Sequence, residues 1–136
     1  TEQAEHFINA VGEDLSGRLI PAVEVRLRGL YRLLPPDYYE AADNLADFCD
    51  RIEKQYGVRP VIYCTERTYK NIVASDSRFN KDKIWYESLF SKPDEDMDWT
   101  FWTYTNRVKF SFYESSEYLH MTVFNGSEDD FKKLII

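Results

Sequence analysis

One stretch limits the possible folds more than any other. From Asp37 to Gly57 the chain carries an amphipathic helix, and a strand follows almost at once. Ala41, Leu45, Phe48, Cys49, Ile52 and Tyr56 recur at helical spacing on one face, with Asp43, Asp47, Asp50 and Lys54 on the other. Gly57 stands where a left-handed residue commonly ends a helix. Arg59-Pro60 then leads into Val61-Ile62-Tyr63-Cys64, a β-rich run with no polar alternation. A helix with one apolar stripe, running directly into an apolar strand, has to lie against a sheet that contains that strand. That is an α/β arrangement.

The rest of the chain repeats the theme. Ala4, Phe7, Ile8 and Val11 fall at helical spacing, with Gly12 and Gly17 marking the exit. Residues 19–25 (LIPAVEV) read as a buried strand bearing one Glu. Residues 27–37 read as a loop that Pro35 and Pro36 keep from becoming helical. A second amphipathic stretch, residues 66–74, groups Tyr69, Ile72 and Val73. Strands are expected over residues 84–89, 99–105 and 119–124, with an acidic exposed loop at 91–98. Residues 109–113 (KFSFY) alternate and are candidates for an extra strand or hairpin arm. Ser127 before Glu128-Asp129-Asp130 predicts a capped helix that turns Phe131, Leu134 and Ile135 inward. Alternating strands and helices of this order predict one α/β domain over residues 1–136 with a mainly parallel sheet.

Composition narrows the function. Seventeen basic against 24 acidic residues leave a net charge of −7, which argues against nucleic acid, since phosphate binding needs a basic face. No run approaches the roughly 20 apolar residues of a membrane span. Cys49 and Cys64 lack metal-ligand spacing and lie on apolar stripes, so buried free thiols are expected, with no metal and no cofactor. Ten Tyr, nine Phe and three Trp exceed what an ordinary core needs. Some of these rings are free to line a groove where sugars stack, and the others fill an α/β core.

Several segments, in order, resemble the second half of the family 25 glycoside hydrolases, the muramidases or lysozymes that act on peptidoglycan. Gln3-Ala4-Glu5-His6-Phe7 resembles the helix before that family's central strand. Pro21-Ala22-Val23-Glu24-Val25-Arg26 resembles the strand that ends in Asp-x-Glu. Arg51-Ile52-Glu53-Lys54, Tyr56-Gly57, Arg59-Pro60 and Ile62-Tyr63 resemble the next helix–strand unit, and Trp85 the tryptophan of the strand after it. Trp99-Thr100-Phe101-Trp102 resembles the Trp-x-Phe-Trp strand, and Val123-Phe124-Asn125-Gly126 the last strand and its turn. The resemblance implies a partial (β/α) barrel whose opening strands fall outside these 136 residues. It also implies a completing element: a second copy, a complementing N-terminal fragment, or a closing segment such as residues 109–113.

Cleaving a glycosidic bond normally takes two flanking carboxyl groups, one of them a proton donor. In the register set by Pro21-Ala22-Val23, Glu24 takes the place of the family's Asp. Arg26 takes the place of its acid, and a guanidinium donates no proton at working pH. His120 falls where the last strand of the family has Asp. The candidate catalytic positions are therefore Glu24, Arg26 and His120. The simplest use of Arg26 is an ion pair with Glu66 or Glu87, the other acids at strand ends. Candidate sugar-binding residues are Tyr63, Glu66, Trp85, Glu87, Trp102 and Tyr104, the Trp and Tyr rings either lining the groove or filling the core. The resemblance implies a lysozyme-like domain impaired in hydrolysis that retains glycan binding, in an extracellular or cell-wall setting. Two alternatives stand beside it. One is an active hydrolase completed by a separate N-terminal part. The other is an assembly module, a homo-oligomer among the possibilities, that pairs through an open sheet edge.

Overall fold

A computed structural model describes residues 2–27, 37–113 and 116–136. The long helix α2 (Tyr38–Tyr56) is set by its own ends. The Asp37 carboxylate accepts from the backbone N–H groups of Tyr39 and Glu40, both at 3.0 Å, and Gly57 closes the helix at φ 75°. The stripe of Ala42, Leu45, Ala46 and Cys49 is buried against the sheet, and Ile52 packs with Ala4 and Ile8 of α1 (Glu2–Val11). Phe7 meets Phe48 and Tyr56 edge-on, and the Tyr56 hydroxyl donates to the Gly12 carbonyl at 2.6 Å. Each fully buried aliphatic side chain of this kind contributes about 1.5–3 kcal/mol.

Among the described residues the sheet holds five strands in the order β1 (Ala22–Glu24), β2 (Val61–Thr65), β3 (Ile84–Glu87), β4 (Phe101–Val108) and β5 (Leu119–Phe124). The first four are parallel and β5 returns antiparallel to β4. The α/β architecture with a mainly parallel sheet is therefore present. β1, β3 and the start of β4 are trimmed relative to expectation, and β4 runs on to Val108. The stretch 66–74 makes a turn of helix, α3 (Glu66–Thr68). It then widens over Tyr69–Val73, where the Ala74 N–H reaches back to the Tyr69 carbonyl at 2.8 Å. The expected loop 27–37 lies largely outside the described residues.

Register divides the side chains between two faces, because successive residues of a strand point to opposite sides. Val23, Ile62, Ile84, Cys64, Tyr86 and Trp102 face the helices and form or border the main core. On the other face, Glu24, Tyr63, Trp85, Phe101 and Phe124 stand side by side across all five strands. Their rings touch in series, at centroid distances of 5.1 Å for Tyr63–Trp85, 5.2 Å for Trp85–Phe101 and 5.4 Å for Phe101–Phe124.

Residues 109–113 do not close the sheet. Phe110 and Phe112 stack on each other at 5.1 Å beyond the end of β4, and Tyr113 N–H bonds to the Phe110 carbonyl in a turn. Their alternation is real, yet among the described residues no strand pairs with it. The linking element is the C-terminal end of the chain. After the short helix α4 (Glu128–Lys132), residues 134–136 pair antiparallel with residues 17–20. The bonds are Gly17 N–H to Ile136 O at 2.7 Å, Ile136 N–H to Arg18 O at 2.8 Å and Ile20 N–H to Leu134 O at 2.8 Å. The Ser127 cap of α4 is a full capping box with Asp130. Leu134 is buried as expected, but Ile135 is 46% exposed because the antiparallel bridge to Leu19 turns it outward. Phe131 packs on Phe124 at 5.3 Å and so covers one end of the ring row.

Candidate functional site

The carboxyl ends of β1, β2 and β3 bring their last residues together around a cavity of about 450 Å³. Glu24, Arg26, Tyr63, Thr65 and Glu87 line it. Glu24 and Arg26 are two residues apart in extended chain, so they project to the same side. Their side chains form an ion pair, with Arg26 Nε 2.5 Å from Glu24 Oε1. The Glu24 carboxylate raises the already high pKa of Arg26, with Glu87 adding to the attraction. The expected pairing of Arg26 with Glu66 or Glu87 is thus corrected. The partner at i−2 is nearer than either, and both other acids are engaged elsewhere. Glu66 at the start of α3 pairs at 2.6 Å with Lys70 in the widened turn that follows, and Glu87 accepts a hydrogen bond from the Tyr63 hydroxyl. Burial, and then that bond, push the Tyr63 hydroxyl above its ordinary range, so it stays protonated as a donor.

Beyond Glu87, on the same face of the sheet, runs a chain of hydroxyls. The Trp85 indole N–H donates to Thr103 Oγ1 at 2.9 Å, and Thr103 Oγ1 lies 2.7 Å from Thr122 Oγ1. Thr65, Glu87, Thr103 and Thr122 stand in register from β2 to β5. Thr103 is only 1% exposed, so its hydroxyl serves structure as much as surface. Reading the sequence for acids and rings passed over Thr103 and Thr122. Alternation from Phe101 and Phe124 would have located both.

The other expected residues are more scattered. His120 is exposed and lies two residues before Thr122 on β5. Among the described residues it has no hydrogen-bond partner. Trp102 points to the helix side, where it borders the core and donates its indole N–H to the Ser88 carbonyl at 3.0 Å. Tyr104 lies against Trp102 at 5.8 Å and is 40% exposed. The alternation that brings Trp85, Phe101 and Thr103 to the groove face sends Trp102 to the opposite one. Glu66 borders an adjoining cavity instead of the first.

Cys49 and Cys64 are buried and free, and burial pushes both thiols up to about 12. Among the described residues no group of three or more His, Cys, Asp or Glu side chains is arranged to hold a metal ion. Nor is any helix among them long and apolar enough to cross a membrane.

Polar side chains gathered at the carboxyl ends of parallel strands, beside a row of rings on the same sheet face, define a site of the (β/α)-barrel type. The chain belongs to the glycosyl hydrolases family 25, whose family model matches residues 1–111. It is similar to a family 25 glycosyl hydrolase from Bacillus anthracis, at 30% identity and a TM-score of 0.83, over 98% of this chain and 62% of that one. The fold is also that of a family GH25 lysozyme from Aspergillus fumigatus (17% identity, TM-score 0.74), over 98% of this chain and 65% of that one. A muramidase from Acremonium alcalophilum shares the fold too (22% identity, TM-score 0.69), over 97% of this chain and 64% of that one. This chain spans less than two thirds of the length of each structure. No curated protein matches the sequence.

Proposed function

We propose that this chain is a lysozyme-like domain that binds a peptidoglycan-type glycan in the groove above β1–β3 and is impaired in hydrolysis. The observation that carries this reading is the Arg26–Glu24 ion pair. In the family register Arg26 holds the place of the proton-donating acid. Loss of a positioned general acid lowers a rate by about 10²- to 10⁴-fold. The neighbouring carboxylate, Glu24, is committed to the guanidinium, and Glu87 accepts from Tyr63. What the groove retains suits recognition. Tyr63, backed edge-on by Trp85, offers a ring, while Glu87, Thr65 and Arg67 offer hydrogen-bonding groups around it.

The experiment pairs two readouts on the same protein. Muropeptides should change its tryptophan fluorescence, since Trp85 packs at 5.1 Å on Tyr63, which lines the groove, while suspended bacterial walls keep their turbidity. Clearing of walls that is lost in Glu24→Gln would sink the proposal and establish an active hydrolase. A second reading rests on a separate observation: among the described residues β1 and β5 each pair on one side only. Open edges accept another strand, so a complementing N-terminal fragment or a second copy is the alternative partner. Light scattering across a concentration series tests the second copy, and a strict monomer removes it.

A further inference from the structure

Arg26 uses only part of its guanidinium. Its Nε donates to Glu24 Oε1, and among the described residues neither of its terminal nitrogens has a partner. Arg51, Arg59 and Arg78 differ, for each has Nε and both terminal nitrogens bonded to or ion-paired with side-chain oxygens. A guanidinium can serve several carboxylates at once. Arg59 holds Asp82 along one edge while its Nη1 meets Asp50 and Glu53. In Arg26 the two unused terminal nitrogens form a planar fork that matches the two oxygens of one carboxylate.

The backbone aims this fork into the cavity. Past the end of β1 the chain stays paired, with the Val25 N–H bonded to the Tyr63 carbonyl at 2.9 Å. Val23, Val25 and Leu27 pack against the main core, so alternation turns Glu24 and Arg26 the other way. The cavity, about 450 Å³, has room for a small organic ligand. Its charged lining residues are Glu24, Glu87, Arg26 and Arg67, two of each sign. Glu24 is engaged by the Arg26 Nε, and Glu87 by the Tyr63 hydroxyl. A balanced wall tolerates one negative charge at the open fork, whereas two carboxylates so near disfavour a dianion such as phosphate. In the family register an acid stands at this position and would repel a carboxylate; the arginine reverses that sign.

We infer that Arg26 is a specificity-determining residue, whose unused terminal nitrogens recognise a free carboxylate on the ligand of the groove. This rests on the glycan-binding reading and adds the charge of the ligand, whichever sugar carries it.

Calorimetric titration at low salt tests it with one sugar in two charge states, N-acetylmuramic acid and its carboxamide, and with inorganic phosphate. The proteins are the parent chain, Arg26→Gln and Glu24→Gln. The Arg26 and Glu24 side chains are 64% and 43% exposed, so neither substitution disturbs the core. The parent should bind the acid more tightly than the carboxamide by roughly 3- to 10-fold, the modest gain of an ion pair open to solvent, and added salt should shrink the gap. Arg26→Gln should erase the gap and leave carboxamide affinity unchanged. Glu24→Gln should widen it, because a competing carboxylate is removed. Equal binding of acid and carboxamide by the parent, or a gap that survives in Arg26→Gln, overturns the inference and leaves the glycan reading intact. Phosphate bound more tightly than the acid overturns the choice of a carboxylate. A parent that binds neither sugar overturns both readings.

Discussion

Replacing Thr103 by Val tests whether the hydroxyl chain anchors Trp85 beside the groove. The side chain is 1% exposed, and its Oγ1 is the acceptor for the Trp85 indole and the partner of Thr122 Oγ1. Valine keeps the shape and removes the oxygen, so packing is nearly unchanged and the polar loss stands alone. Thr122 is exposed and can turn its hydroxyl to water. The half-buried Trp85 N–H reaches water less easily. One donor left without a partner costs about 1–3 kcal/mol, and partial access to solvent places the expected loss near the lower half, about 1–2 kcal/mol. Urea unfolding followed by tryptophan fluorescence would show a lower midpoint at unchanged slope. Thr122→Val alone should cost less, about 0.5 kcal/mol, because its hydroxyl is already solvated in the parent. The double variant should cost less than the sum of the two singles, since one bond is counted in both. A Thr103→Val midpoint within about 0.5 kcal/mol of the parent, or strict additivity, would refute the argument.

Three further outcomes are expected. Arg59 holds Asp82 through two bonds, at 2.5 and 3.0 Å, and the Asp82 side chain is 1% exposed. Arg59→Ala therefore strands a buried carboxylate and should cost about 2–4 kcal/mol, read by thermal or urea unfolding, with recovery in an Arg59→Ala, Asp82→Asn double variant. Burial raises Tyr86 to about 12, and burial plus the Glu87 bond raise Tyr63 as well. The unfolded chain releases those protons near pH 10 while the folded chain keeps them, so stability is intact below pH 10 and falls as pH rises beyond it. Phenolate absorbance and unfolding midpoints should show this, and Tyr63→Phe should flatten the slope. Both thiols are buried and pushed up to about 12. They should resist thiol reagents in the native protein and react once it is unfolded, and fast labelling of the folded chain would contradict the packing of α2 on β2.

Much of this architecture could be read along the chain. α2 announced itself because its determinants are local: a cap at Asp37, a stripe at helical spacing, a left-handed Gly57. The α/β order followed from periodicity, and the resemblance put Glu24 and Arg26 at the family's Asp-x-Glu positions. The resemblance to family 25, carried by short segments in order, agrees with the family match over residues 1–111.

Everything that depends on which strand lies beside which was decided by tertiary structure. Register alone aligns Glu24, Tyr63, Trp85, Phe101 and Phe124, residues up to a hundred positions apart. It joins Tyr63 to Glu87 and Thr103 to Thr122, and it turns Trp102 away from the groove. The alternating residues 109–113 remained outside the sheet, while residues 134–136, which carry no strand signal, pair with the segment ahead of β1. A strand needs a partner as well as a pattern. Helix ends are written in neighbouring residues and can be read there, whereas sheet contacts form between segments whose proximity only the folded chain provides.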